Sequence, residues 1–291
     1  MRYSGTIIRP PSEADSYILQ ATLGCSHNRC TFCGTYPDKP FRMRPLDEVL
    51  EDVAQAAQRF PDTCRVFIAD GNALVLPAPQ LVAILDALGA AFPLLRRVGI
   101  YAGARDILEK SDAELSILHE KKLRIVYLGM ESGSDEVLRR VDKCACAAEM
   151  IEAVGKAKRA GIRVSVIALL GLGGIELSAQ HAAETGRVVS AMDPHYLSML
   201  TLMLVPGTPL YRRAKDGDFR LPPPEGLLAE LREVIRNTDG LTRCVFRTNH
   251  ASNYLPLAGV LSRDKESLLT AIDDARNRGP DALRPETWRA L

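Results

Sequence analysis

The sequence predicts an α/β fold built on parallel strands, either a doubly wound sheet or a partial barrel. Three observations carry that expectation. Six short apolar runs alternate with segments of helical periodicity between residues 15 and 240. The runs are apolar on consecutive positions, as strands covered on both faces are, and the helices between them are long enough for right-handed crossovers.

The elements follow in order. After a Pro-rich entry, "YILQATLG" at 17–24 reads as a buried strand running into the first cysteine. "PLDEVLEDVAQAAQRF" places Leu46, Val49, Leu50, Val53 and Ala57 at helical intervals, with acidic residues in the first turn where the helix dipole favours them. "CRVFIAD" is a short strand ending in the turn Asp70, Gly71, Asn72, and "PAPQLVAILDALGAAF" a helix. "RRVGIYA" is a strand, "SDAELSILHEKK" a helix opened by a Ser N-cap, and "LRIVYLGM" a strand. "ESGSDEVLRRVDK" reads as a loop and short helix, and "AAEMIEAVGKAKRAG" as a helix stopped by Gly161. "IRVSVIALLGLGG" is a strand ending in glycines, "ELSAQHAAETGRVVSAM" a helix and "HYLSMLTLMLVPGTP" the sixth strand, with a last helix near "GLLAELREVIRNT". The tail from about residue 241 lies outside this alternation.

Composition bounds the function. Of 291 residues 46% are apolar and 25% charged, enough for a sizeable core, and one domain is the expectation. Lys and Arg number 37 against 36 Asp and Glu, so no global field gathers nucleic acid or an anionic membrane. The first twenty residues lack the apolar segment of a signal peptide, and no run of eighteen apolar residues occurs, so a soluble cytoplasmic protein without a membrane partner is expected. In that compartment the seven cysteines are thiols, metal ligands or catalytic groups rather than disulfides.

Three of them crowd into "GCSHNRCTFCG", residues 24–34, immediately after the first strand. In parallel α/β folds ligands meet the carboxyl ends of the strands. The same rim collects Asp70, Gly71 and Asn72, then "ESGS" at 131–134, "GLGG" at 171–174 and "VPGTP" at 205–209. A closed structural metal site takes four protein ligands, so three thiols imply a distant fourth or a position left open.

Cys25, Cys30 and Cys33, with Phe32 before the last, resemble the cluster loop of the radical S-adenosylmethionine (SAM) superfamily, in the spacing C-x4-C-x2-C rather than the commoner C-x3-C-x2-C. "LGMESGSDEVL", "LLGLGG" and "LVPGTPLY" are similar to the branch that includes oxygen-independent coproporphyrinogen oxidase. The resemblance implies a partial (β/α)6 TIM-like barrel over residues 1–240, lead-in included, with 241–291 as an extension packed on it. It implies a [4Fe-4S] cluster on Cys25, Cys30 and Cys33, with SAM on the fourth iron. Reductive cleavage of SAM would then give a 5'-deoxyadenosyl radical that abstracts hydrogen from a small-molecule substrate, with an external electron donor such as a flavodoxin or ferredoxin. By position, Phe32 would pack near the adenine, and Asp70, Gly71 and Asn72 would take the SAM-amino motif, with asparagine in place of its usual glutamate. Glu131 would hold ribose hydroxyls or the methionyl amine, while Gly171 and the Met203 to Val205 strand end would border the adenine.

Other readings stand beside these. His27 or Cys64 could complete a zinc site, and the chain could be a non-catalytic metal- or nucleotide-binding barrel or a nucleic-acid-modifying enzyme of the same chemistry. Cys144, Cys146 and Cys244 could hold an auxiliary cluster. Lys143, expected as a solvated lysine, is also a candidate for substrate contact. His250 and Asn253, in the polar tail segment "FRTNHASNYLPLAG", are candidates to contact substrate or exclude water. Arg42 and Arg44 could meet a phosphate or carboxylate. His181 reads as a packing histidine.

Overall fold

The computed structural model describes residues 1–36 and 38–290, and the chain forms two compact units. The first comprises Met1–Asn28, Thr35–Leu128 and Glu152–Val164. Its strands β1 (Tyr17–Gln20), β4 (Arg65–Ala69), β5 (Arg97–Ala102) and the first six residues of β6 (Leu123–Glu131) run parallel in the order β1-β4-β5-β6. The register sets Tyr17 beside Val66 and Val98 beside Leu123. Val66, Phe67, Ile68, Val98 and Ile100 are fully buried, which is why consecutive strand positions are apolar.

Between the strands lie α1 (Leu46–Arg59), α2 (Ala78–Ala91), α3 (Ala104–Leu108) and α4 (Asp112–Glu120), the last capped by Ser111 as its sequence requires. The strand expected over 17–24 breaks at Ala21. The Ala21 amide bonds Ala69 O at 2.6 Å, after which β2 (Thr22–Leu23) turns to pair antiparallel with β3 (Arg42–Met43). Arg44, expected to meet an external anion, is instead buried against Asp52 at 2.8 Å and donates to Gln20 O.

The second unit comprises Arg29–Gly34, Gly129–Ile151 and Ser165–Leu291. It holds the end of β6, then α5 (Asp135–Arg140), the start of α6 (Ala147–Arg159) and most of β7 (Arg163–Leu170), followed by α7 (Gly174–Met192) and β8 (Tyr196–Thr201). After these come α8 (Pro209–Lys215), α9 (Pro224–Arg236), β9 (Val245–Arg247), β10 (Ala258–Val260) and α10 (Leu261–Arg278). β7, β8 and β9 are parallel in that order and β10 closes on β9 antiparallel. The tail is therefore not outside the pattern. Leu197 faces Phe246 across the β8/β9 pair, and both are fully buried, so the tail contributes strand and core to this unit. Among the described residues no helix is long and apolar enough to cross a membrane. Mostly parallel strands alternating with helices give the α/β class the sequence predicts.

Candidate functional site

In the first unit the rim is organised by Asp70, which follows β4 and is fully buried. Tyr36 Oη donates to Asp70 Oδ1 at 2.9 Å, Gln20 Nε2 and the Gly24 amide donate to Oδ2 at 3.2 and 3.3 Å, and the Lys39 ammonium pairs with the same oxygen. A buried carboxylate demands such partners, because an unpaired one costs several kcal/mol, on the order of 3–5. Burial, then the Asp70 charge, pushes the Tyr36 hydroxyl well above its ordinary range, which keeps it a donor.

Gly71 follows at φ +32°. A Cβ there would stand 2.3 Å from Gly24 O and 2.6 Å from Cys25 Cα, so only glycine lets this turn pass so close to the cysteine backbone.

Asn72 secures the other side of Cys25. Its Oδ1 accepts from the Ser26 amide at 2.9 Å, and its Nδ2 donates to Ser26 Oγ and to Asp106 Oδ2, each at 2.8 Å. Asp106 Oδ2 also accepts from the Gly103 amide at 2.7 Å, capping α3. Burial raises the Asp106 carboxyl above its ordinary value, against the pull of these hydrogen bonds. Cys25 is thus fixed on both flanks, by Gly24 on Asp70 and by Ser26 on Asn72.

In the second unit Cys30 and Cys33 are presented by one tight turn, with the Cys33 amide on Cys30 O at 3.1 Å. The turn is stitched by its middle: the Thr31 amide donates to Val141 O and Thr31 O accepts from the Leu210 amide, both at 2.9 Å. Phe32 packs on an apolar cluster of Val137, Val141, Leu172, Leu202 and Leu210. A Cβ at Gly34 would meet Val205 Cγ1 at 2.6 Å, so the turn lies flush against the segment after β8. Met203 and Val205, expected at a strand end, lie in that segment, because β8 stops at Thr201.

Glu131, in the left-handed region at φ +65°, accepts from Lys143 Nζ at 3.0 Å. Lys143 is not a solvated lysine: its side chain is 15% exposed. Burial works against its charge, but the negative charges of Glu131 and of a thiolate at Cys30 outweigh it, and the amine holds its proton more tightly than an ordinary lysine.

Gly171, at φ +83°, donates its amide to the buried Glu230, which also accepts from Ser178 Oγ. Glu230 Oε1 stands 3.5 Å from His181 Nε2, and His181 Nδ1 lies 2.7 Å from Ser132 Oγ. The "ESGS" and "GLGG" turns are therefore tied to one buried network.

In the tail, Asn253 is buried and its amide is fully engaged. Nδ2 donates to Met199 O and Thr248 O at 2.8 and 2.9 Å, and Oδ1 accepts from Thr201 Oγ1 at 2.8 Å. His250 Nδ1 meets Ser252 Oγ at 2.9 Å, and burial lowers its affinity for a proton. Their neighbours make the tail a clasp on the end of β8. Tyr36, Lys39, Asp106, His181 and Glu230 are the residues whose site contacts the sequence reading did not assign. The pattern Gly103-x-x-Asp106 at a strand end was the one available signal, because it matches a helix cap.

All seven cysteines are thiols, and Cys25, Cys30 and Cys33 are half-buried. Cys144 and Cys146 are half-buried in the second unit and Cys244 is buried there. The donor set suits an iron-sulfur cluster: thiolates are its ligands, a cation beside Cys30 favours the thiolate, and Thr31 Oγ1 is a buried hydroxyl with no partner among the described residues. Among the described residues no three His, Cys, Asp or Glu side chains gather around a single metal ion. A cluster takes each thiolate on a separate iron and does not require that convergence.

Comparison with known proteins follows the same lines. The family model described as the radical SAM superfamily matches residues 19–185. The heme chaperone HemW of Lactococcus lactis subsp. lactis (strain IL1403) is 23% identical over 202 residues, which is 68% of this chain and 52% of that protein. The chain thus spans about half the length of the curated relative it matches. Coproporphyrinogen III oxidase HemN from Escherichia coli, a radical SAM enzyme, aligns with a TM-score of 0.59 at 16% identity, covering 95% of this chain and 71% of that one. The radical SAM methyltransferase TsrM from Kitasatospora setae, solved with cobalamin and a [4Fe-4S] cluster, aligns at 0.55 and 18% identity over 67% of this chain and 38% of its own. At these identities the structural likenesses speak for the fold.

Proposed function

Because the chain belongs to the radical SAM superfamily, whose members use a [4Fe-4S] cluster and SAM, we propose that it is an enzyme that cleaves SAM reductively and abstracts hydrogen from a small-molecule substrate. The observation that carries this reading is the pair of braced cysteine segments. Cys25 lies between two clamped residues, and Cys30 and Cys33 share a turn stitched to Val141 and Leu210. Cys25, Cys30 and Cys33 would hold the cluster, which would supply the single electron for cleavage of SAM to methionine and a 5'-deoxyadenosyl radical.

The chain's own residues hold and shield. Cys25, Cys30 and Cys33 would be the ligands, and Lys143 offsets negative charge at Cys30. Phe32 and the apolar residues beneath it keep water from the turn, as radical chemistry requires. Gly71 lets the end of β4 pass against the backbone of Cys25, and Gly171 lets the end of β7 pack against Leu221 and Leu227. Glu131, oriented by Lys143, offers a carboxylate for ribose hydroxyls. The near-neutral charge favours a small substrate over nucleic acid. The electron comes from outside, from a carrier of the flavodoxin or ferredoxin kind.

Anaerobic reconstitution, reduction with SAM and chromatography for 5'-deoxyadenosine test the proposal. Product is expected from the native sequence and none from Cys30→Ala. An intact four-iron cluster that yields no product would overturn it in favour of a binding or sensing role.

A further inference from the structure

Resting on the reading of the chain as an enzyme with a small-molecule substrate, we propose that Arg247 receives a carboxylate of that substrate on the open face of the second unit's sheet. The segment "FRTNHASNYLPLAG" starts within β9, where successive side chains point to opposite faces. Phe246 shares its face with Val166, Leu197, Ala168 and Met199, and all of these are fully buried. Arg247 therefore points to the other face.

That face is not closed. Ile167, Leu169 and Leu200 on it are half-buried, although parallel strands ordinarily bury both sides. The register sets Arg247 between Ser198 on β8 and Ala258 on β10, with Ile167 beyond Ser198. Two small side chains thus leave the guanidinium room on either side. One row away, Tyr196 lies beside Val245.

The Arg247 side chain makes no ion pair or hydrogen bond with the described residues, and neither do the hydroxyls of Ser198 and Tyr196. None of these atoms is enclosed. An arginine on a sheet edge would simply meet water, but β9 is paired on both sides. Unanswered donors on an otherwise apolar face have the composition of a ligand site.

The donors define the ligand. A guanidinium fork matches a carboxylate with two parallel hydrogen bonds, and Ser198 Oγ adds a further donor beside it. One guanidinium balances one negative charge, which suits a carboxylate better than a phosphate near its dianion. Ile167, Leu169 and Leu200 offer an apolar wall to the rest of the molecule. Glu131 and Lys143 stand over the same face: a Cβ at Gly129 would meet Glu131 Oε1 at 2.3 Å and Lys143 Nζ at 3.3 Å, while the adjacent Met130 is fully buried on the closed side. Lys143 is already answered by Glu131. From β6 to β9 is three strand spacings, roughly 14 Å. A small acid anchored at Arg247 extends across β8 and β7 toward Glu131, so Arg247 selects which end of it faces the cysteine turn.

The probes are benzoate and hexanoate, their amides benzamide and hexanamide, and phenyl phosphate, titrated anaerobically into the reconstituted protein with ligand-observed NMR as the readout. Each acid is expected to bind roughly tenfold more tightly than its amide, the lower end for a hydrogen bond to a charged group because the site is partly open to water. Arg247→Gln should abolish that preference and Arg247→Lys keep part of it. Ser198→Ala should weaken the acids roughly threefold as an independent check. Arg278→Gln, at the far end of α10, should leave the preference intact. Amides that bind as well as acids, or a preference that survives Arg247→Gln, would overturn the assignment. Phenyl phosphate binding more tightly than benzoate would overturn the carboxylate as the ligand class. Formation of 5'-deoxyadenosine by the native protein judges the functional reading separately: its absence sinks that reading, whereas the acid-to-amide ratio decides the role of Arg247.

Discussion

Lys143 Nζ stands 3.0 Å from Glu131 Oε1, with the two side chains only 15% and 12% exposed. The pair holds a residue in the left-handed region at the end of β6, where a backbone strained in this way persists only if its surroundings hold it. Removing one partner leaves the other charged and withdrawn from water. Lys143→Met is therefore expected to lose about 3–5 kcal/mol in urea unfolding of the cluster-free protein. Glu131→Gln combined with Lys143→Met should be more stable than Lys143→Met alone. A single variant as stable as the native protein would mean that the pair contributes nothing.

Gly71 carries a different prediction, because its constraint is steric. The Cβ of Gly71→Ala would stand 2.3 Å from Gly24 O and 2.6 Å from Cys25 Cα, and both are backbone atoms that cannot swing aside. The turn must then shift the cysteine. Iron and sulfide incorporated on reconstitution should fall well below the native level, by half or more, while a distant surface change such as Gly217→Ala leaves it intact. Normal loading of Gly71→Ala would show that the Cys25 segment tolerates displacement.

Much of this was legible in the sequence. Parallel strands buried on both faces announce themselves as apolar runs, and every helix expected between residues 46 and 236 is present within a few residues. The cysteine loop stands out in the sequence, because three thiols in nine positions have few uses, and its role as a cluster site remains a proposal. What was hidden depends on partners far away in the chain. Nothing local to Asp70 reveals that Tyr36 and Lys39 will close on it, and nothing in "GARD" reveals Asn72. Lys143 looked solvated because a lysine in a polar loop usually is, and the carboxylate that draws it inward lies twelve residues upstream. The tail looked like a polar loop for a similar reason: its polar residues bond the end of β8 rather than water.

Asn253 gives that last point a measurable form. Its side chain donates to Met199 O and Thr248 O and accepts from Thr201 Oγ1, all in a buried setting. Asn253→Ala leaves these groups unsatisfied and should cost about 2–3 kcal/mol in chemical denaturation. Asn253→Asp should fare no better, because a carboxylate offers no hydrogen to two carbonyl oxygens. A loss of under about 0.5 kcal/mol in both variants would show that water replaces the amide and that the clasp is loose.

His181 makes stability depend on pH. It is fully buried, with Nδ1 at 2.7 Å from Ser132 Oγ and Nε2 at 3.0 Å from Leu169 O, a pattern that a neutral ring satisfies by donating from Nε2 and accepting at Nδ1. Burial, the largest influence, lowers its proton affinity, and the Glu230 carboxylate at 3.5 Å only partly opposes that. The folded ring thus titrates below the unfolded one, whose value is about 6.5. Between those two values the unfolded chain binds the proton and the folded chain does not, so stability falls as pH drops below about 6.5. Glu230 acts with the opposite sign. Burial raises its carboxyl, so the folded state keeps a proton the unfolded state has released, and its contribution falls as pH rises through the interval above about 4.3. Comparing the native protein with His181→Gln isolates the imidazole, because glutamine can still donate to Leu169 O and accept from Ser132 but has no charge to gain. Urea midpoints measured from pH 7.5 to 5.5 should decline more steeply in the native protein, and the gap between the two curves should open below about 6.5. Parallel curves would mean that the folded ring takes up its proton as readily as the unfolded one, and that Glu230 rather than burial governs the pair.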